Sequence, residues 1–240
     1  MLIRMQFRKT RAGRFLSHLD LMHTWERVIR RSGLPLGFTQ GFNPHPKMNF
    51  ASALAVGTTS DTEYMDLDFT EDLTLEQIKE ALLPAVPPAF EIVDMKLVTD
   101  KKVPSLMSII QRATYTIRLE YVAEITQAEL DQAVENFWHM EENIIYRYKK
   151  DSKDKKAVNI RPGVYTIVLN REEGTNNKHA VLDIIVQSGN DGNIRPEEVA
   201  YGLMNAGMPL VQQVVRIHRT GLYALDDDGN MITPLQAVNE

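Results

Sequence analysis

The sequence predicts an α+β fold, with antiparallel sheets carrying helices on one face, laid out as two successive βαββαβ units. Three observations predict it. Segments alternating with period two are interleaved with segments of helical periodicity. The order strand, helix, two strands, helix, strand occurs twice. The 240 residues suffice for two domains of roughly 100 to 130 residues. No residue-level repeat accompanies the repeated order, so the duplication is one of arrangement only.

In the first unit MLIRMQFRK alternates and reads as a strand, and TRAGR is a basic turn. SHLD is a capping box, Ser17 with Asp20, ahead of a helix whose Leu21, Met22, Trp25, Val28 and Ile29 share a face. Gly33 suits the left-handed position that closes this helix. LPLGFT is a short extended piece. In QGFNPHPK, Pro44 and Pro46 fix their own φ and push Asn43 and His45 toward extended geometry. This stiff loop is expected to pack Phe42 inward and to turn Asn43 and His45 toward the first helix. MNFASALAV and EYMDLDF are strands, TLEQIKEALLPAV a helix and FEIVDMKLV a strand. Asp66 and Asp68 share one strand face, either the solvated side of that strand or a place for a hard cation.

The second unit reads ATYTIRLEYV as a strand and TQAELDQAVENFWHM as a helix capped by Thr126 and Glu129. NIIYRYKK, GVYTIVLN and HAVLDIIVQ are strands, RPEEVAYGLMNAG a helix and VQQVVRIHRTGLYAL a strand, one strand more than the first unit needs. The lysine-rich loop KKDSKDKK at 149–156 is a hairpin tip or a contact for nucleic acid. The expected boundaries are 1–100, 108–225 and a loosely held tail, 226–240. In that tail Asp226-Asp227-Asp228-Gly229-Asn230 forms an acidic turn that lacks the closing glutamate of a calcium loop.

The chain has no cysteine, which excludes disulfides, thiolate metal sites and cysteine nucleophiles. No export segment or membrane span is recognisable, and a cytoplasmic protein is expected. The net charge of −5 conceals a segregation. Residues 1–50 hold nine basic and two acidic side chains, whereas 51–100 hold eleven acidic and two basic ones. This points to a localised surface for anions, or to two windows that neutralise each other. No dinucleotide fingerprint, P-loop, nucleophile elbow or zinc-protease motif occurs, so no cofactor, metal or catalytic residue is assigned. His18 and His23 are five apart, a poor metal pair. The candidate nucleic-acid-binding residues are Arg8, Lys9, Arg11, Arg14, Arg27, Arg30, Asn43, His45 and Lys47. They combine flexible cations with fixed donors beside a helix N-terminus, the mixture that phosphate recognition needs.

LSHLDLM, RRSGLP, GFNPHP, Gly57 and EYMDLDF, all within residues 4–69, resemble the radical SAM-associated protein family. This domain family is found beside, or fused to, cobalamin-type radical SAM proteins. NIRPG at 159–163 resembles its second-half motif, with Asn159 where an acid is expected, and His23 stands where arginine is commoner. The resemblance implies a radical SAM partner rather than a reaction, because the chain itself lacks the cysteine motif for an iron–sulfur cluster. The leading expectation is a non-catalytic module that presents tRNA or rRNA to that partner; by fold, tandem ferredoxin-like domains are similar to the CRISPR RNA-processing endoribonucleases. The alternatives are a metal-independent endoribonuclease using His18 or His45, and a protein–protein adaptor.

Overall fold

A computed structural model describes residues 1–100, 103–148, 154–171, 176–209 and 211–238. In chain order the first elements are β1 (Leu2–Lys9), α1 (His18–Ser32), β2 (Met48–Phe50), β3 (Thr59–Asp68), α2 (Leu75–Leu82), β4 (Phe90–Val98) and α3 (Leu106–Ile109). Then follow β5 (Arg112–Tyr121), α4 (Gln127–His139), β6 (Ile144–Tyr148), β7 (Lys155–Asn159), β8 (Val164–Leu169), β9 (His179–Gln187), α5 (Pro196–Asn205), β10 (Val211–Leu225) and β11 (Met231–Ile232). The chain divides into two units, one of Met1–Arg112 with Arg219–Glu240, the other of Ala113–His218.

In the first unit the strands run β4-β1-β3, with the second part of β10 on the far side of β3. β1 pairs antiparallel with both β3 and β4, and the short β2 pairs antiparallel with β3. The pleat sends Ile3, Met5 and Phe7 to the helical side, where they meet Leu21, Trp25, Val28 and Ile29 of α1 and Ile78 and Leu82 of α2. Trp25 stacks on Phe90 at 5.2 Å and meets the edge of Phe7 at 5.0 Å, so an aromatic cluster anchors the middle of α1. Gly33 ends this helix with φ of 72°, as expected of its position.

On the other face of the sheet, Arg4 is buried and makes a two-pronged pair with Asp66, at 2.8 and 2.9 Å. Asp66 is therefore neither on a solvated strand face nor free for a cation, and Asp68 is taken by Lys47 at 2.9 Å. The guanidinium of Arg4 has more N–H groups than one carboxylate can accept, and it also donates to the carbonyls of Pro104 and Pro234. That requirement draws in the chain end expected as a loose tail. β11 pairs with β10, Leu235 and Val238 are buried, and Lys96 donates to the Val238 carbonyl. Asp226 does close an acidic turn, accepting from the Asp228 and Asn230 amides.

In the second unit the first part of β10, then β5, β9 and β8 lie in that order. β5 alternates perfectly between buried and half-buried residues, with Ala113, Tyr115, Ile117, Leu119 and Tyr121 inside. α4 and α5 contribute Leu130, Phe137, Val199 and Leu203 to the core. A hairpin tip at 149–156 would join NIIYRYKK directly to GVYTIVLN. Instead β6 pairs with Lys155–Asn159 as a separate two-stranded ribbon, and β8 pairs with β9. Of the lysine-rich loop, 149–153 lie outside the described residues.

Candidate nucleic-acid interface

The start of α1 is built from a charged strand end. Lys9, two positions on from Phe7, falls on the same buried side of β1, and its ammonium donates to the carbonyls of Leu16, at 3.0 Å, and Arg14, at 3.3 Å. The turn between them is drawn close to the backbone, since a Cβ at Gly13 would lie 2.6 Å from the Ala89 carbonyl oxygen. The Gly57 amide donates to the Arg14 carbonyl. The expected capping box then forms, with Asp20 N–H donating to Ser17 Oγ and Ser17 N–H donating to the Asp20 carboxylate. Hydrogen bonds from the Ser17 hydroxyl and then its amide hold the Asp20 carboxyl below its usual range.

Beneath this turn lies a buried charged cluster that sequence reasoning did not assemble. Arg219 donates to both oxygens of Glu63, at 2.9 and 3.1 Å, and to the Ala53 carbonyl. Lys9 and His18 lie within the field of Glu63, and the His18 ring meets the edge of Phe50 at 5.7 Å. Burial pushes the Lys9 ammonium below its usual range, the Glu63 carboxylate opposes this and Arg219 adds to it. His18 is likewise pushed down, first by burial and then by Lys9, against the pull of Glu63. One signal could have disclosed the cluster. Glu63 falls on the strand face of Met65, Leu67 and Phe69, and Lys9 on that of Ile3, Met5 and Phe7, so each is a charge at an apolar-face position.

The lowered pKa of His18 makes stability depend on pH with a definite sign. The unfolded chain takes up the proton near pH 6.5, before the folded chain does, so stability rises with pH in that region. The contribution is complete above pH 6.5 and is lost as pH falls toward the folded value. We expect the His18 ring to titrate below 6.5 by NMR, and His18→Gln to flatten the loss of stability between pH 7 and pH 5.

The basic residues separate into those engaged and those available. Lys9 is buried and serves the fold, so it is withdrawn from the interface. Arg8 pairs with Asp61 and Glu91, Arg30 with Glu26, and Lys47 with Asp68. Arg11 and Arg27 are exposed and have no salt bridge among the described residues. Arg14 lies over the exposed ring of Phe15 at 4.2 Å from its centre. Arg31, absent from the sequence-derived set, is exposed as well. His23, Arg27 and Arg31 recur every four residues and form one exposed row along α1. That spacing was legible in the sequence.

Asn43, His45 and Lys47 do not join the turn that carries Arg8, Arg11 and Arg14. Residues 37–47 form a hairpin in which Thr39 N–H donates to the His45 carbonyl and Lys47 N–H to that of Gly37. It is rooted at Asp68, which is opposite Leu2, whereas the basic turn follows Lys9 at the other end of β1. Seven residues of strand separate the two, roughly 23 Å. Asn43 and His45 are exposed, and Phe42, expected to pack inward, is fully exposed. The prolines and the Thr39 hydroxyl, which accepts from His45 N–H, stiffen the hairpin without an aromatic anchor. α1 spans the interval, rising from the basic turn at Ser17 to Gly33 at the hairpin end.

In the second unit NIRPG acts as a structural bracket. Asn159 Oδ1 accepts from the amides of Asn143 and Arg161, and the Arg161 guanidinium lies 4.6 Å from the centre of the Trp138 ring. No group of histidine, aspartate and glutamate suited to a metal ion occurs among the described residues, and none of their helices is long and apolar enough to cross a membrane.

Three solved structures share the fold. A chain of a Cbf5-Nop10-Gar1 complex aligns with a TM-score of 0.54 and 8% identity, over 92% of this chain and 48% of that one. A chain of the archaeal box H/ACA sRNP Nop10-Cbf5 complex gives 0.50 and 8%, over 92% and 47%. A chain of an H/ACA RNP bound to a substrate RNA containing 2'-deoxyuridine gives 0.50 and 9%, over the same shares. The chain thus spans about half the length of the solved chains it matches. No curated protein matches it by sequence. The sequence profile of one family aligns with residues 2–196, and the chain belongs to that family, described as "Uncharacterized protein conserved in bacteria (DUF2344)".

Proposed function

We propose that the chain is a non-catalytic RNA-recognition module, cytoplasmic and built on two ferredoxin-like units, that presents tRNA or rRNA to a radical SAM partner enzyme. The observation that carries the RNA part is the exposed row of His23, Arg27 and Arg31 on α1. At the start of that helix stand Arg11 and the Arg14–Phe15 pair, and at its end the hairpin with Phe42, Asn43 and His45. Cations spaced along one rigid helix can follow a phosphate backbone, while exposed aromatic and amide groups at its ends can meet bases. Two of the structural neighbours, the box H/ACA sRNP and the RNA-bound H/ACA RNP, are RNA–protein assemblies, which agrees with this reading at the level of fold. The partner part rests on the motif resemblance of residues 4–69.

Binding of fluorescein-labelled tRNA and rRNA fragments, followed by anisotropy, tests the proposal. Arg14→Ala, Arg27→Ala and Arg31→Ala combined are expected to weaken binding while the thermal midpoint stays within a few degrees, because none of the three has a salt bridge among the described residues to lose. Absence of RNA binding by the unmodified chain would favour the adaptor reading. A second reading, an endoribonuclease, is favoured by one observation, that the half-buried His18 ring packs on Phe50, where burial lowers its pKa. Cleavage of RNA in the presence of a chelator, abolished by His18→Ala, would establish it instead.

A further inference from the structure

We infer that the β6–β7 ribbon of the second unit is a stacking platform for unpaired RNA bases, a contact surface additional to the α1 row. This rests on the RNA reading above and names the class of RNA, single-stranded rather than duplex. The ribbon has two unlike faces. On one, Ile145 is buried, and Arg147 donates to both oxygens of the buried Glu198, at 2.6 and 2.7 Å, and to the Asn193 carbonyl at 2.7 Å. These contacts fix the ribbon against the start of α5 and settle which way the pleat turns. The alternate residues Tyr146 and Tyr148 therefore point outward, and they are 65% and 71% exposed.

Their cross-strand neighbours on the same face are Ala157, opposite Tyr146, and Lys155, opposite Tyr148. A methyl group leaves the Tyr146 ring largely uncovered, and the Lys155 ammonium lies 5.1 Å from the centre of the Tyr148 ring. Two residues of strand set the rings about 7 Å apart, so each can offer its own face to a base. The charge is of the right sign for a polyanion. Lys155 and Lys156 are both exposed. Flat aromatic faces with adjacent cations suit a single strand, whose bases can be splayed onto them. A duplex keeps its base faces covered.

The test uses the whole chain with two probes, a labelled 12-nucleotide oligouridylate and a blunt RNA duplex of equal length. Tyr146→Ala with Tyr148→Ala is expected to weaken oligouridylate binding about tenfold or more and to leave duplex binding unchanged. Tyr146→Phe with Tyr148→Phe should retain it, because stacking needs the ring and not the hydroxyl. Circular dichroism melting reports whether each variant remains folded, and loss of binding in a folded alanine variant supports the platform. Unchanged oligouridylate binding in the alanine variant would overturn it, as would loss in the phenylalanine variant. If the ribbon tyrosines prove neutral while the Arg14, Arg27 and Arg31 combination abolishes binding, only the ribbon inference fails. If the unmodified chain binds neither probe and no tRNA, the RNA reading itself fails.

Discussion

Glu63→Ala is expected to cost about 3–5 kcal/mol of folding stability, because it leaves the buried Arg219 guanidinium without its carboxylate and removes the one opposing charge in the field of Lys9. Arg219 would lose both of its hydrogen bonds to Glu63 and keep the Ala53 carbonyl, and Lys9 would remain buried beside it with only the carbonyls of Arg14 and Leu16. The cost comes from the orphaned charges rather than from the attraction lost, so the order of the variants is informative. Replacing Glu63 and Arg219 together should cost less than the sum of the two single changes. An internal control lies on the same unit. Arg30→Ala removes the exposed pair with Glu26 and should cost under about 1 kcal/mol. Urea denaturation decides the matter through the midpoint at unchanged m-value. A Glu63→Ala midpoint no lower than that of Arg30→Ala would mean that water reaches the cluster freely.

Trp25→Ala is expected to be of similar size, about 3–5 kcal/mol. Trp25 is fully buried at the centre of the cluster formed with Phe7 and Phe90, and it is the largest fully buried side chain among the described residues. Its indole N–H is buried with no hydrogen-bond partner among the described residues, which modifies the prediction for a milder change. Trp25→Phe removes an unpaired donor along with part of a ring, so the gain from the first offsets some of the second. Its loss should be well under half that of alanine. Because the exposed row of α1 rides on this packing, Trp25→Ala should also weaken RNA binding, whereas Trp25→Phe should not.

The parts of the fold set by local chemistry were legible in the sequence. The capping box of Ser17 and Asp20, the Gly33 closure and the apolar stripe of α1 depend on residues within a turn or two of each other. What was not legible depends on partners far apart in the chain. Asp66 reads as a solvated strand residue until Arg4 is placed beside it, 62 positions away, and Pro234 supplies the acceptor that holds down the chain end. Lys9 reads as one more cation of a basic turn until the distant Glu63 and Arg219 are placed in its neighbourhood. The GFNPHP loop was read as stiff on sound grounds. Its expected direction rested on the assumption that an aromatic residue seeks burial, yet its ladder of backbone hydrogen bonds makes a hairpin that needs no such anchor. Periodicity alone also could not tell that KKAVN pairs with β6, since its exposed residues give no apolar alternation.

The salt dependence of RNA binding tests most directly whether Arg14, before α1, and Arg27 and Arg31, along it, hold phosphates. Each phosphate contact contributes about one to the slope of log affinity against log salt concentration. The measurement is the slope for labelled tRNA with the unmodified chain and with the Arg14, Arg27 and Arg31 combination changed to alanine. The account predicts a steep slope that falls in magnitude by roughly three in the variant. A variant slope equal to that of the unmodified chain, or an unmodified chain whose affinity does not respond to salt, would contradict it.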